Sequence, residues 1–174
     1  PAVTVPTASG SSDDADASDE TDKTAALTGL ECVVGTWLLD NDTFADLMSS
    51  SDDRVIDSVT GTVRFHANAD GEAITEYTDW THVVRMESKN AVVTMVRNGS
   101  DTGTLTEESD GTLSLLETLN DSEIVAEMTM NGTTHSVPTI KNSPGALHLA
   151  VFDCAGDTLT LTVEERSTVM SRES

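Results

Sequence analysis

Apolar and polar residues alternate along most of the chain after residue 30. Leu159, Leu161 and Val163 share one face of a run whose other face is threonine. The same period of two recurs between Val59 and Phe65, and again between Ile124 and Met130. A strand with one face in the core and one face in water has this period. The pattern therefore predicts antiparallel β-sheet.

Turn signals separate these runs. Asn-Gly and Asp-Gly pairs adopt positive φ at little cost, so between alternating runs they favour hairpins. The pairs are Asp70-Gly71, Asn98-Gly99, Asp110-Gly111 and Asn131-Gly132, together with Gly156-Asp157. Strands are predicted at about residues 32–39, 57–67, 72–79, 81–88, 91–97, 102–108, 112–118, 123–131, 147–153, 158–164 and 167–172.

One segment has a helical period instead. Phe44, Leu47 and Met48 follow the candidate cap residues Asn41 and Asp42, which predicts one short helix after the first strand. Consecutive short hairpins leave a barrel or a sandwich as the architecture. We expect an all-β, up-and-down antiparallel meander that closes into a barrel of about 8–10 strands, because closure removes exposed edges.

Composition divides the chain at residue 28. Residues 1–28 are rich in Ser, Thr and Asp, and the segment is predicted to be a disordered acidic linker. Residues 29–174 are predicted to form the barrel domain. The linker is typical of the stalk of an exported protein and would suit a lipid anchor upstream of residue 1. An ordinary frayed terminus is the alternative.

The net charge of −22 excludes several partners. A nucleic-acid binder needs a basic face, and an anionic membrane surface would repel this chain. No apolar run is long enough to predict a membrane-spanning segment. The acidity favours an extracellular or cell-envelope location.

The two cysteines are Cys32, at the start of the first predicted strand, and Cys154, near the last ones. In a closed meander the first and last strands are neighbours, so the two sulfurs could form a disulfide. Two buried thiols in a cytosolic protein are the alternative. An even count without a CxxC motif argues against a metal or redox site.

Three segments resemble a known family. Gly35-Thr36-Trp37 resembles the G-x-W motif of lipocalins and related calycins. The segments 32–40, 76–80 and 154–161 are similar to uncharacterised lipocalin-like domains in secreted proteins and lipoproteins of high-GC Gram-positive bacteria. The resemblance implies that Trp37 closes one barrel end with an arginine across its ring. Arg172 occupies the corresponding position, and Arg166 is the other candidate.

No motif for catalysis is present: the chain lacks G-x-S-x-G, HExxH and a glycine-rich phosphate loop. We therefore expect no enzyme activity, no cofactor and no metal. The four histidines are scattered singly, although three of them could converge on zinc or haem. They are His66, His82, His135 and His148.

The leading functional hypothesis is an extracytoplasmic lipocalin-like protein that binds a small apolar or amphipathic ligand inside the barrel. The candidate ligand contacts are Tyr77, Trp80, Met128 and Met130, because methionine adapts to irregular volumes and can line a cavity. The alternative is a non-catalytic envelope structural or protein-interaction domain with a solid barrel and an acidic surface.

Overall fold

The computed structural model describes residues 29–49, 54–110, 112–140, 147–163 and 165–174. The predicted linker, residues 1–28, lies outside the described residues. The described helices are α1 (Leu30–Val33), α2 (Asn41–Met48) and a 3₁₀ turn at Glu87–Lys89. The described strands are β1 (Gly35–Leu39), β2 (Arg54–Ala67), β3 (Glu72–Met86), β4 (Ala91–Glu107), β5 (Leu113–Asn120), β6 (Glu123–Met130), β7 (Thr133–Ile140), β8 (Leu147–Ala155), β9 (Thr158–Val163) and β10 (Arg166–Arg172).

The fold is an all-β antiparallel meander, as the alternation predicts. The strands pair in the order β3-β2-β1-β10-β9-β8-β5-β4-β6-β7, and β3 pairs in addition with β4. Strands β1–β5 and β8–β10 each pair with two strands of this same set, and we call them the eight doubly paired strands. Strand β6 pairs with β4 and with β7, so only one of its partners belongs to the set. The β6–β7 hairpin extends from the first half of β4, whereas β5 pairs with the second half.

Several strand limits differ from those predicted. Residues 72–86 form one strand with a register shift between Tyr77 and Trp80. Residues 91–107 also form one strand, because the chain continues through Asn98-Gly99 instead of turning. Gly99 has a positive φ of 104° there, and β4 changes partner from β6 to β5. Strand β7 was not predicted, and Cys32 lies in α1 rather than in a first strand.

The buried core lies around α1 and β1. The Trp37 side chain is fully buried, and its Nε1 donates a hydrogen bond to the Val33 carbonyl at 2.8 Å. Cys32 and Cys154 form a disulfide with their Cα atoms 5.7 Å apart, which confirms the predicted pair. The bridge joins α1 to β8, however, and not the first strand to the last. Those two strands, β1 and β10, are neighbours through backbone pairing.

Helix α2 follows β1, as predicted, but its cap is Asp40 rather than Asn41 or Asp42. The Asp40 carboxylate accepts hydrogen bonds from the backbone N–H groups of Asp42 and Thr43, both at 2.9 Å. The Thr43 hydroxyl in turn accepts from the Val169 backbone N–H, so the first turn of α2 is held against β10. None of the described helices is long and apolar enough to cross a membrane.

Candidate functional site

A cavity of about 380 Å³ lies between α2 and the sheet. Each of the eight doubly paired strands contributes at least one side chain to its wall, and α2 contributes Phe44 and Leu47. The helical spacing of these two residues places both on the face of α2 that covers the cavity. Most of the remaining wall is aliphatic or aromatic. The cavity is therefore an apolar space bounded by strands from both the N-terminal and the C-terminal part of the domain sequence.

Aromatic side chains concentrate on the α2 side of the cavity. The Trp80 ring lies 4.9 Å from the Phe44 ring and 5.4 Å from the Tyr77 ring, measured between centroids. Trp80 also donates from Nε1 to the Asn41 side-chain oxygen at 3.3 Å. These contacts join β3 to α2 and fix the orientation of the indole.

A β-bulge brings Tyr77 and Trp80 to the same face of β3. Residues three apart in a regular strand point to opposite faces. Here the register shifts between Tyr77 and Trp80, and Asp79 adopts a positive φ of 47°. Because of the extra residue, both aromatic side chains point to the cavity side of the strand. Bulges of this kind are common beside functional sites.

Arg97 is the charged side chain in the described cavity wall. Its guanidinium carbon lies 3.8 Å from the centroid of the Tyr77 ring. It forms an ion pair with Asp101, which is 4% exposed, and its Nε donates to the Ser122 hydroxyl at 3.0 Å. Because Asp101 compensates the positive charge, the cavity is close to electrically neutral.

His82 lies beside the aromatic group. Its ring meets the Trp80 ring edge-on at 4.0 Å and the Phe44 ring at 5.2 Å. Burial, and to a smaller extent the positive charge of Arg97, lower the pKa of His82 to about 4. The imidazole is therefore neutral at neutral pH. Sequence reasoning named His82 only as a candidate metal ligand, although its alternation with Trp80 and Val84 places the three residues on one strand face.

The structure brings together two of the four predicted ligand contacts. Tyr77 and Trp80 line the cavity, whereas Met128 and Met130 do not. Both methionines lie on β6, opposite Val93 and Ala91 of β4, in the part of the sheet beyond the eight doubly paired strands. Met130 is 37% exposed. The four residues therefore do not form one site.

The end-strand arginine on Trp37 is Arg172. Its guanidinium carbon lies 4.1 Å from the centroid of the indole, and a guanidinium nitrogen donates to the Val34 carbonyl at 3.2 Å. Gly35 has a φ of 132°, and a Cβ there would lie 2.5 Å from that guanidinium. Arg166 is exposed at the start of β10. The glycine thus leaves the space that the arginine occupies.

The described residues do not gather a metal site: they contain no group of three His, Cys, Asp or Glu side chains close enough to hold an ion. His66 is exposed and hydrogen-bonded to the Thr36 hydroxyl at 3.0 Å, and His135 is exposed on β7. The His148 side chain lies outside the described part. No family model, no curated protein and no solved structure matches this chain.

Proposed function

We propose that this chain is an extracytoplasmic, lipocalin-like protein that binds a small apolar or amphipathic molecule in the cavity beneath α2. The cavity itself carries the proposal: it measures about 380 Å³ and has a mainly apolar wall. Ligand pockets are typically about 300–1,000 Å³, with apolar walls and a few polar groups that orient the ligand. Arg97 and the threonines of the wall are the polar groups here.

We also propose that the eight doubly paired strands close into a barrel. The pairing of β3 with β4 supports closure, because it gives β3, the first strand of the sheet order, a second partner within the same set. The distribution of the cavity wall over all eight strands is a second support. A barrel of eight strands has an interior wide enough for side chains or for one small ligand.

Location outside the cytoplasm has its own support. The Cys32–Cys154 disulfide favours an oxidising compartment, since disulfides are rare in cytosolic proteins. The lipocalin-like assignment rests on Gly35-Thr36-Trp37 and on the packing of Arg172 over Trp37. The alternative hypothesis, a structural domain with a solid interior, is less favoured because of the cavity volume.

The test uses two neighbouring leucines on β5. Leu115 lines the cavity, whereas Leu116 is 43% exposed, because successive strand residues point to opposite faces. Leu115→Trp fills the cavity and is expected to weaken the binding of a neutral naphthylamine dye by about tenfold or more. Leu116→Trp adds the same side chain outside, and the affinity is expected to stay within about twofold.

Dye affinity is measured by fluorescence titration, and thermal unfolding establishes that both variants are folded. Absence of dye binding to the unsubstituted protein contradicts the proposed function. Equal affinities of the two variants would also contradict it, because the dye would then bind elsewhere.

A further inference from the structure

A side cavity of about 80 Å³ adjoins the main cavity. Trp80 and Arg97 belong to the walls of both cavities, and His82, Met95 and Ile124 complete the smaller one. The strand register explains the grouping: Trp80 pairs with Arg97 and His82 with Met95 across β3 and β4, and Ile124 of β6 pairs with Arg97. The side cavity has room for a small terminal group of a molecule whose main part lies in the larger cavity.

His82 presents an unpaired polar atom at this place. Its Nε2 is buried and has no hydrogen-bond partner among the described residues. Buried polar side-chain atoms are hydrogen-bonded in the great majority of cases, and a buried atom left unpaired is costly. The ring contacts with Trp80 and Phe44 hold the imidazole in place, so it does not turn freely towards solvent. The unpaired nitrogen is therefore a preformed contact for a ligand group.

The surrounding charges select the chemistry of that group. A cationic group would meet the positive charge of Arg97, which lies in the wall of the same side cavity. An anionic group would meet an arginine that Asp101 and Ser122 already engage. It would also be repelled at long range by a chain of net charge −22. A hydroxyl carries no charge and can donate a hydrogen bond to the nitrogen of a neutral imidazole that bears no hydrogen.

We infer that the ligand is an uncharged apolar molecule with a hydroxyl group that donates a hydrogen bond to Nε2 of His82. This inference rests on the proposed function, because it assigns a chemical class to the molecule in the same cavity. The apolar part contacts the wall around Trp80 and Tyr77, and the hydroxyl enters the side cavity.

The experiment compares decanol with decyl methyl ether, which has the same alkyl chain but cannot donate a hydrogen bond and carries a bulkier end. Each compound displaces the neutral naphthylamine dye from the unsubstituted protein, and the inhibition constant is measured. Decanol is expected to bind about two- to tenfold more tightly, which is the range of one net hydrogen bond. His82→Phe keeps an aromatic ring against Trp80 and Phe44 but removes the nitrogen, so the preference is expected to disappear.

The exposed histidine on β2 supplies the matched control. His66→Phe is expected to retain the preference for decanol, because His66 lies outside both cavity walls. A readout without substitution is the ¹⁵N resonance of the His82 ring nitrogens, which is expected to move with decanol and to stay with the ether. This measurement decides the question even where His82→Phe does not fold.

The outcomes separate the two proposals. Equal affinities of decanol and the ether for the unsubstituted protein overturn the hydroxyl inference but leave the proposed function standing. A preference that persists in His82→Phe, with unchanged ring resonances, overturns the role of His82. Failure of the dye itself to bind removes the proposed function and the inference together.

Discussion

At Arg97 the protein places a positive charge in an apolar wall and compensates it within the same site. Asp101 is almost fully buried, and its carboxylate also accepts from the Ser122 backbone N–H at 3.3 Å. Removing one partner of such a pair leaves an uncompensated buried charge, which is more destabilising than losing the pair as a whole. From this geometry the pair has two roles. Arg97 packs on the face of the Tyr77 ring and orients it, and Asp101 keeps the cavity neutral.

His82 makes the stability of the fold depend on pH in a specific interval. The unfolded chain takes up the imidazole proton near a pKa of 6.5, whereas burial and Arg97 lower the pKa in the folded state to about 4. Between these values the unfolded state binds more protons, so the free energy of unfolding decreases as the pH falls. Asp101 forms an ion pair with Arg97, and this pair limits the repulsion between Arg97 and a protonated His82.

The expected result is a smaller pH dependence in His82→Phe. From about pH 7 to about pH 5 this variant should lose ~1 kcal/mol less unfolding free energy than the unsubstituted protein, a value reduced because the ring is partly exposed. Urea unfolding at the two pH values measures it. Identical slopes for His82→Phe and the unsubstituted protein would contradict the assigned environment of His82.

At the scale of the elements, the sequence predicted what local patterns encode. Alternation located most strands, and the spacing of Phe44 and Leu47 located α2 on the cavity side. Strand β7 was not predicted from the sequence for two reasons. Thr133-Thr134-His135-Ser136 shows no alternation of apolar residues, and Pro138 is unfavourable inside a sheet. It lies at the end of the strand order, where proline is tolerated.

The Asn98-Gly99 pair shows why a turn signal can mislead. Its conformation is used inside β4: the Asn98 side-chain oxygen accepts from the Asp79 backbone N–H at 2.7 Å, opposite the bulge. That contact is not encoded near Asn98, since it depends on a strand about twenty residues earlier. Tyr77 and Trp80 were predicted as ligand contacts together with Met128 and Met130. The exclusion of the two methionines could not be predicted from local sequence for the same reason, because it follows from the pairing of β6 with β4 beyond the cavity.

The bulge depends on a glycine in β2. Gly61 has a φ of 84°, and a Cβ there would lie 2.2 Å from the Asp79 carbonyl oxygen. Gly61→Ala is expected to destabilise the fold by about 2–3 kcal/mol, since it combines strained φ with a backbone clash. Gly132 has a similar φ of 79° with nothing within 4 Å, so Gly132→Ala is expected to cost only about 1 kcal/mol. Urea unfolding compares the two, and equal losses would contradict a bulge that needs the missing Cβ.

At the scale of the whole molecule, exterior and interior differ in charge. The chain carries 31 acidic and 9 basic residues, yet the described cavity wall holds one charged side chain, and that side chain is paired. The exterior therefore governs solubility and long-range repulsion of anions, whereas the interior governs which molecule is bound. Total charge therefore disfavours anionic ligands at long range, but it does not indicate the volume or the apolar wall of the cavity.

The disulfide acts on the stability of the whole domain without touching the cavity. It closes a loop with a sequence separation of 122 and fixes α1 on β8, but neither cysteine belongs to the cavity wall. Replacing both residues, Cys32→Ser with Cys154→Ser, is expected to lower the free energy of unfolding by about 2–5 kcal/mol, mainly because the unfolded chain gains freedom. Reduction of the unsubstituted protein with dithiothreitol provides the matched control and should give the same loss.

Below the unfolding transition, the dye affinity of the double variant should remain within about twofold of the original. A large loss of affinity in a variant that is still folded would mean that α1 helps to shape the cavity, and would contradict the separation of the disulfide from the cavity wall.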